Sequence, residues 1–236
     1  MEEYGQMTLV EHLTELRRRI IICLIAIIGF SVIGYSLAEQ IIELMTVPIG
    51  ELVFLSPIEA FYTHIRVAIY AGFIMALPII VYQGWRFILP ALKQDERKLL
   101  YALVPMSVVL FFLGLAFSFF IVIPFGIKFF LGFSSPSLRP MLSLDYYVKF
   151  VVTMTLPFGI LFELPLVQGF LIRFGIVTVK QLARMRKYVI VGAFVVGAVF
   201  TPPDVLSQVC LAVPLIVLYE LGLIMGRLIS PRAKSK

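Results

Sequence analysis

Glu163 stands in a stretch from Phe150 to Ile172 that holds no other charged residue. On a helix it lies about 15 Å inside Arg173, where an acid costs roughly 2.5–3.5 kcal/mol to insert into lipid. A group at that depth faces protein or a partner rather than hydrocarbon. Its polar company in the chain is Thr153, Thr155 and Gln168, with Thr201 and Gln208 toward the far ends of the last two apolar runs. Glu220 is a second acid in an apolar run, nearer an end, from which it snorkels to the interface. Glu11, Glu15, Asp95 and Glu96 instead sit among basic and apolar residues. A carboxylate beside aromatic surface suits an arginine-bearing ligand, because the guanidinium fork bonds carboxylates and stacks on rings. Each acid also has an ordinary structural role open to it. Glu15 pairs with Arg18 or Arg19 along a helix for a few tenths of a kcal/mol, and Asp95 and Glu96 complement the dipole of a helix start.

Enzyme chemistry has no constellation here. His12 and His64 lie at helix ends, and there is no H-E-x-x-H zinc pattern, no G-x-S-x-G elbow and no phosphate-binding P-loop. Cys23 and Cys210 fall inside apolar runs as small hydrophobes, not as a disulfide or metal pair. The expectation is no catalytic residue, no metal and no cofactor.

Composition says what must position these residues. The chain is 61% hydrophobic and 14% charged, against roughly 45–50% and about 25% for soluble domains. Lipid is the solvent such a chain requires. The net charge of +6 reads as basic residues flanking spans, not as a nucleic-acid surface. No small-residue cleavage site follows the first span, so no cleavable signal peptide is expected. Charge-free runs predict an all-α, polytopic protein, one integral domain over 1–236. Its six transmembrane helices fall at about 20–38, 66–86, 99–123, 149–172, 188–201 and 206–226.

Basic residues cluster before span one, between spans two and three, between spans four and five, and at the C-terminus. Only Arg66, Lys128, Arg139 and Lys149 lie opposite. That bias predicts both termini on the cytoplasmic side. Thr8-Leu9-Val10-Glu11 is a capping box opening an interfacial amphipathic helix over 8–19, with Leu9, Leu13, Leu16 and Ile20 on its apolar face. Ser56-Pro57-Ile58-Glu59 is another, starting a helix that runs about 43 Å to Trp85. Its outer end, with Leu44 to Phe54, forms an extracytoplasmic cap. Ser143 caps the fourth helix, with Asp145 in its first turn. Pro78, Pro105, Pro157, Pro165 and Pro214 bend their helices into a concave bundle. The fifth and sixth helices are short, the fifth only about 21 Å, which implies local bilayer thinning.

The chain resembles the TatC family, the core subunit of the twin-arginine protein translocase. The resemblance rests on His12-Leu13-Thr14-Glu15-Leu16-Arg17-Arg18-Arg19, on Gln83 through Leu92 with Glu96-Arg97, on Phe162-Glu163-Leu164-Pro165, and on Arg186 through Gln208, in that order along the chain. It implies a receptor in the cell inner membrane that binds twin-arginine signal peptides of folded cargo. It implies export driven by the proton-motive force, without nucleotide hydrolysis. The implied partners are single-span TatA- and TatB-type subunits, other copies of the chain, and membrane lipid, with no nucleic acid. By motif position the implied signal-peptide residues are Glu15, Glu96, Arg17 and Phe87, then Leu9, Leu16 and Pro48. The implied partner-helix residues are Glu163, Thr201 and Gln208, and Asp204 is a motif residue without an assigned role. A proton-coupled transporter of a small solute, with Glu163 as coupling site, is the alternative, although no inverted repeat between the halves is visible.

Overall fold

The computed structural model describes residues 9–47, 52–88, 97–132, 141–200 and 205–229. Thr8, Pro48, Glu96, Thr201 and Asp204 lie outside the described residues, as does the side chain of Leu9. The chain divides into two compact units, Met1–Val108 and Val109–Lys236.

The first unit holds α1 (Leu9–Ser36), α2 (Ala38–Thr46), α3 (Pro57–Ile88) and most of α4 (Arg97–Phe117). α1 is the interfacial helix and first span in one piece. It turns at Leu37, whose N–H bonds the Gly34 carbonyl at 3.2 Å, and α2 packs back on α3. The start of α3 follows from its capping box. Glu59 N–H bonds Ser56 Oγ at 3.3 Å, and the Glu59 carboxylate accepts from Leu55 N–H at 2.8 Å. Proline at the first position loses no hydrogen bond. The helix then continues through Pro78 to Ile88, some 48 Å by its rise. Of the expected cap, Leu44 and Met45 belong to α2 and Phe54 precedes α3.

α1 and α3 approach closely because small residues face each other. A methyl group at Gly72 would lie 2.6 Å from the Ser31 backbone nitrogen, and one at Gly34 would lie 2.6 Å from the Ala68 carbonyl oxygen. Lipid tails are as apolar as leucine, so helices in a bilayer associate through this kind of close backbone packing.

In the second unit, α4 ends through a π-helical segment, Ser118–Val122, that leads into α5 (Ile123–Leu131). The helical stretch long and apolar enough to cross a membrane therefore runs from Ala102 to Leu131, with the expected span end at 123 inside it. Pro124, early in α5, removes an N–H that regular α geometry would need. α6 (Leu144–Leu161) and α7 (Leu164–Arg173) together make the fourth span. Ser143 occupies the N-cap of α6 in extended conformation, but it forms no side-chain capping bond, contrary to expectation. The carbonyl of Ser143 instead accepts Tyr147 N–H at 3.0 Å.

α7 ends in a Schellman motif. Gly175 takes φ 69°, Gly175 N–H bonds the Ile172 carbonyl, and Ile176 N–H bonds that of Leu171, both at 3.0 Å. Three residues on, Thr178 and Gln181 form a reciprocal capping box, with Thr178 N–H to Gln181 Oε1 at 2.8 Å and Gln181 N–H to Thr178 Oγ1 at 3.2 Å. This box opens α8 (Val179–Phe200), and α9 (Val205–Ile229) completes the unit. Val122, Phe158, Leu161, Ala193, Leu211 and Leu215 belong to its main core.

Five helical stretches among the described residues are long and apolar enough to cross a membrane: Val10–Ser36, Pro57–Phe87, Ala102–Leu131, Leu144–Arg173 and Val205–Leu228. α8 is the expected fifth helix, and it begins well before Tyr188. Its first half carries Lys180, Arg184, Arg186 and Lys187, leaving about 20 Å of apolar helix.

The crossing predicts opposite signs for two equal substitutions. Gly29 meets nothing within 4 Å, so Gly29→Ala should raise stability by up to about 1 kcal/mol through helix propensity. Gly72→Ala should lower it by about 1–3 kcal/mol through overpacking. Unfolding of the purified protein in detergent measures both.

Candidate functional site

The N-terminal turns of α1 and the C-terminal turns of α3 meet at one corner of the first unit. Glu15 and Arg19 are one helical turn apart, and they form an ion pair with side chains 20% and 13% exposed. Arg19 Nε donates to Glu15 Oε1 at 3.1 Å, and Nη2 donates to the same oxygen. Arg19 Nη1 reaches across to α3 and donates to Gln83 Oε1 at 2.9 Å. One turn before Glu15, the His12 ring stacks on Phe87, with centroids 4.3 Å apart and planes at 22°. Gln83 and Phe87 are themselves one turn apart on α3, so the same two faces supply both contacts. Between them in sequence, buried Trp85 donates from Nε1 to Ser107 Oγ of α4 at 3.0 Å. The corner is thus a carboxylate and a guanidinium beside a stacked ring pair. Arg17 and Leu16 are exposed next to it.

The second unit places its polar residues differently. Glu163 lies in the break between α6 and α7, at the N-cap of α7. Pro165 explains the break, since it has no N–H to offer and its ring crowds the carbonyl of Leu161. Glu163 holds the N-cap position of α7 in helical backbone conformation, and its side chain makes no capping bond there. Its neighbours Phe162 and Leu164 pack on the core formed with Leu211, Ala212 and Leu215. Gln208 donates from Nε2 to the Phe194 carbonyl at 2.9 Å. Gly197 admits this approach, because a methyl group there would come within 2.9 Å of Gln208 Cγ. At the opposite end of α8 and α9, Arg186 pairs with Glu220, with Nε to Oε1 at 2.7 Å and Nη2 to Oε2 at 2.8 Å. Tyr219 donates its hydroxyl to the Leu182 carbonyl at 2.7 Å.

Glu15 and Phe87 are thus brought to one corner, with Arg17 and Leu16 on the same helix end. Glu163 and Gln208 lie in the other unit, and Glu96, Pro48, Thr201 and Asp204 lie outside the described residues. The sequence reading missed the cross-helix contacts at this corner, namely Gln83 as the partner of Arg19 and His12 as the partner of Phe87. The signal was available, since Gln83 and Phe87 share a face of α3 as His12, Glu15 and Arg19 share one of α1. Glu220, expected to snorkel, is 41% exposed and is paired with Arg186. Among the described residues no group of His, Cys, Asp and Glu has the arrangement of a metal site.

Comparison with known proteins agrees along the chain. The family model described as Sec-independent protein translocase protein (TatC) matches residues 11–214. The Sec-independent protein translocase protein TatC of Aquifex aeolicus is 43% identical over 236 residues, covering 97% of this chain and 98% of that one. The TatC of Escherichia coli K12 is 35% identical, covering 93% and 88%. A crystal structure of the twin arginine translocase receptor TatC superposes with a TM-score of 0.85 at 44% identity, covering 93% of this chain and 99% of the other.

The α8–α9 contacts predict a ranking. The Tyr219 bond is buried, so Tyr219→Phe should cost about 1 kcal/mol at any salt. The Arg186–Glu220 pair is 44% and 41% exposed, so Arg186→Gln should cost less than about 1 kcal/mol and fade in about 1 M salt. Unfolding in detergent at two salt concentrations checks the order.

Proposed function

The chain belongs to the TatC family of Sec-independent protein translocase proteins, and from that premise we propose that its α1–α3 corner receives the arginines of a twin-arginine signal peptide. The chain is a multi-pass membrane component of the twin-arginine protein translocase. The observation that carries the proposal is the Glu15 carboxylate held beside the His12–Phe87 stack. That pairing of acid and ring suits a guanidinium, which bonds the one and stacks on the other.

In this reading Glu15 and Glu96 clasp the two arginines. Phe87 supplies the ring surface, and Leu9 and Leu16 supply apolar contact to the residues that follow. Arg17 and Pro48 complete the signal-peptide contacts that the family motif implies. The site faces the cytoplasm, both termini lie there, and the membrane is the cell inner membrane. The density of basic residues at the start of α1 and of α8 supports this orientation. α8 makes the fifth of six crossings despite its short apolar half. Glu163, Thr201 and Gln208 receive the single helices of TatA- and TatB-type subunits. A polar group in such a helix gains a partner there that lipid denies it. The chain works with other copies of itself, takes its driving force from the proton-motive force, and performs no bond chemistry of its own. Family membership favours this over a proton-coupled transporter of a small solute.

Glu15→Ala and Glu96→Ala should each weaken binding of a twin-arginine peptide by about tenfold or more, with insertion into the membrane unchanged. Fluorescence anisotropy with a labelled peptide and purified protein is the measurement. Unchanged affinity in both variants would reject the assignment of these two acids.

A further inference from the structure

The way Arg19 holds Glu15 carries a second conclusion. A guanidinium facing a carboxylate ordinarily engages both oxygens side by side. Here Arg19 Nε and Nη2 both converge on Oε1. The remaining nitrogen, Nη1, is fixed by Gln83 Oε1 on the neighbouring helix at 2.9 Å. Gln83 is itself buried, at 8% exposure, so it sets the plane of the guanidinium. Glu15 Oε2 is consequently left without a hydrogen-bond partner among the described residues, and it is shielded from solvent.

We propose that Arg19 and Gln83 are a positioning pair that reserves Glu15 Oε2 for the signal peptide's arginine and so sets the preference for arginine over lysine. The inference rests on the reading of Glu15 as a signal-peptide contact. Arg19 neutralises half of the carboxylate and fixes its rotamer. Gln83 prevents Arg19 from closing over the second oxygen. An incoming group reaches that oxygen only by shedding water. A guanidinium is weakly hydrated and flat, whereas an ammonium is compact and strongly hydrated. A shielded oxygen therefore selects between two residues of equal charge. An exposed carboxylate would bind both about equally.

The test measures the affinity of the full-length protein in detergent for an Arg-Arg and a Lys-Lys signal peptide. Gln83→Leu keeps the bulk and loses the acceptor. Arg-Arg affinity should fall about tenfold while Lys-Lys affinity changes by less than about threefold, so that the ratio narrows. Gln83→Glu retains the acceptor oxygen and should restore the ratio. Arg19→Lys keeps a charge beside Glu15 but cannot span to Gln83, and should narrow the ratio as Gln83→Leu does. It serves as the independent variant if Gln83→Leu does not fold. A ratio that stays constant while both affinities fall in parallel would mean a merely structural role and overturn the proposal. Glu15→Gln separates the two levels. If it weakens Arg-Arg binding while Gln83→Leu and Arg19→Lys leave the ratio intact, the positioning role fails alone. If Glu15→Gln changes nothing, the reading of the site fails and the positioning role with it.

Discussion

A charge carried to the edge of lipid must be matched by another charge or by fixed hydrogen bonds. That constraint organises the corner where α1 meets α3. Only 6% of the α1 span is buried within the protein, so α1 holds its place chiefly through α3. Two contact types secure it. Small residues around Gly34 and Gly72 let the backbones touch, and Arg19 links Glu15 to Gln83 at the end. The first sets the distance between helices, and the second sets their register. A carboxylate whose position depends on both helices is fixed in a way that a side chain on a single interfacial helix is not. The stack of His12 on Phe87 adds a flat surface one turn away. Recognition of a guanidinium needs those two elements held in fixed relation.

The second unit sets an acid at a break in a helix. Pro165 interrupts the fourth helical stretch, and the interruption places Glu163 at the N-cap position of α7. The proline and the acid thus belong to one device, a broken helix that makes a polar site inside lipid tolerable. Gln208 is treated similarly, with its amide turned onto the Phe194 carbonyl through the gap that Gly197 leaves. Arg186 neutralises Glu220 nearer the end of α9. Gln208 and Glu220 are thus each oriented by a named neighbour.

Much of this was legible in the sequence because lipid makes charge placement informative. Charge-free runs located the helices, and Ser56-Pro57-Ile58-Glu59 gave the start of α3 to the residue. What stayed hidden has physical causes. The π segment at Ser118–Val122 leaves hydropathy unchanged, so the sequence does not show that helix continues through Pro124 to Leu131. The start of α8 lies before the expected span at 188–201 because charge marks only the apolar run, whereas Thr178 and Gln181 form the capping box that opens the helix. Ser143 shows the converse, a residue of the right type and place whose hydroxyl makes no cap. Cross-helix pairs such as Arg19–Gln83 depend on rotation about helix axes, which periodicity constrains only to a face. Resemblance named Glu15 and Phe87. Only coordinates supplied the partners that hold them.

The claim at the centre of this account is that Glu15 meets an arginine of the signal peptide directly. A double-mutant cycle, pairing Glu15→Gln with replacement of each peptide arginine by glutamine, isolates that contact from any general effect on folding. The account predicts a coupling of at least about 1.5 kcal/mol with one of the two arginines, the strength of a partly shielded charge-assisted hydrogen bond. Additivity within about 0.5 kcal/mol for both arginines would contradict it.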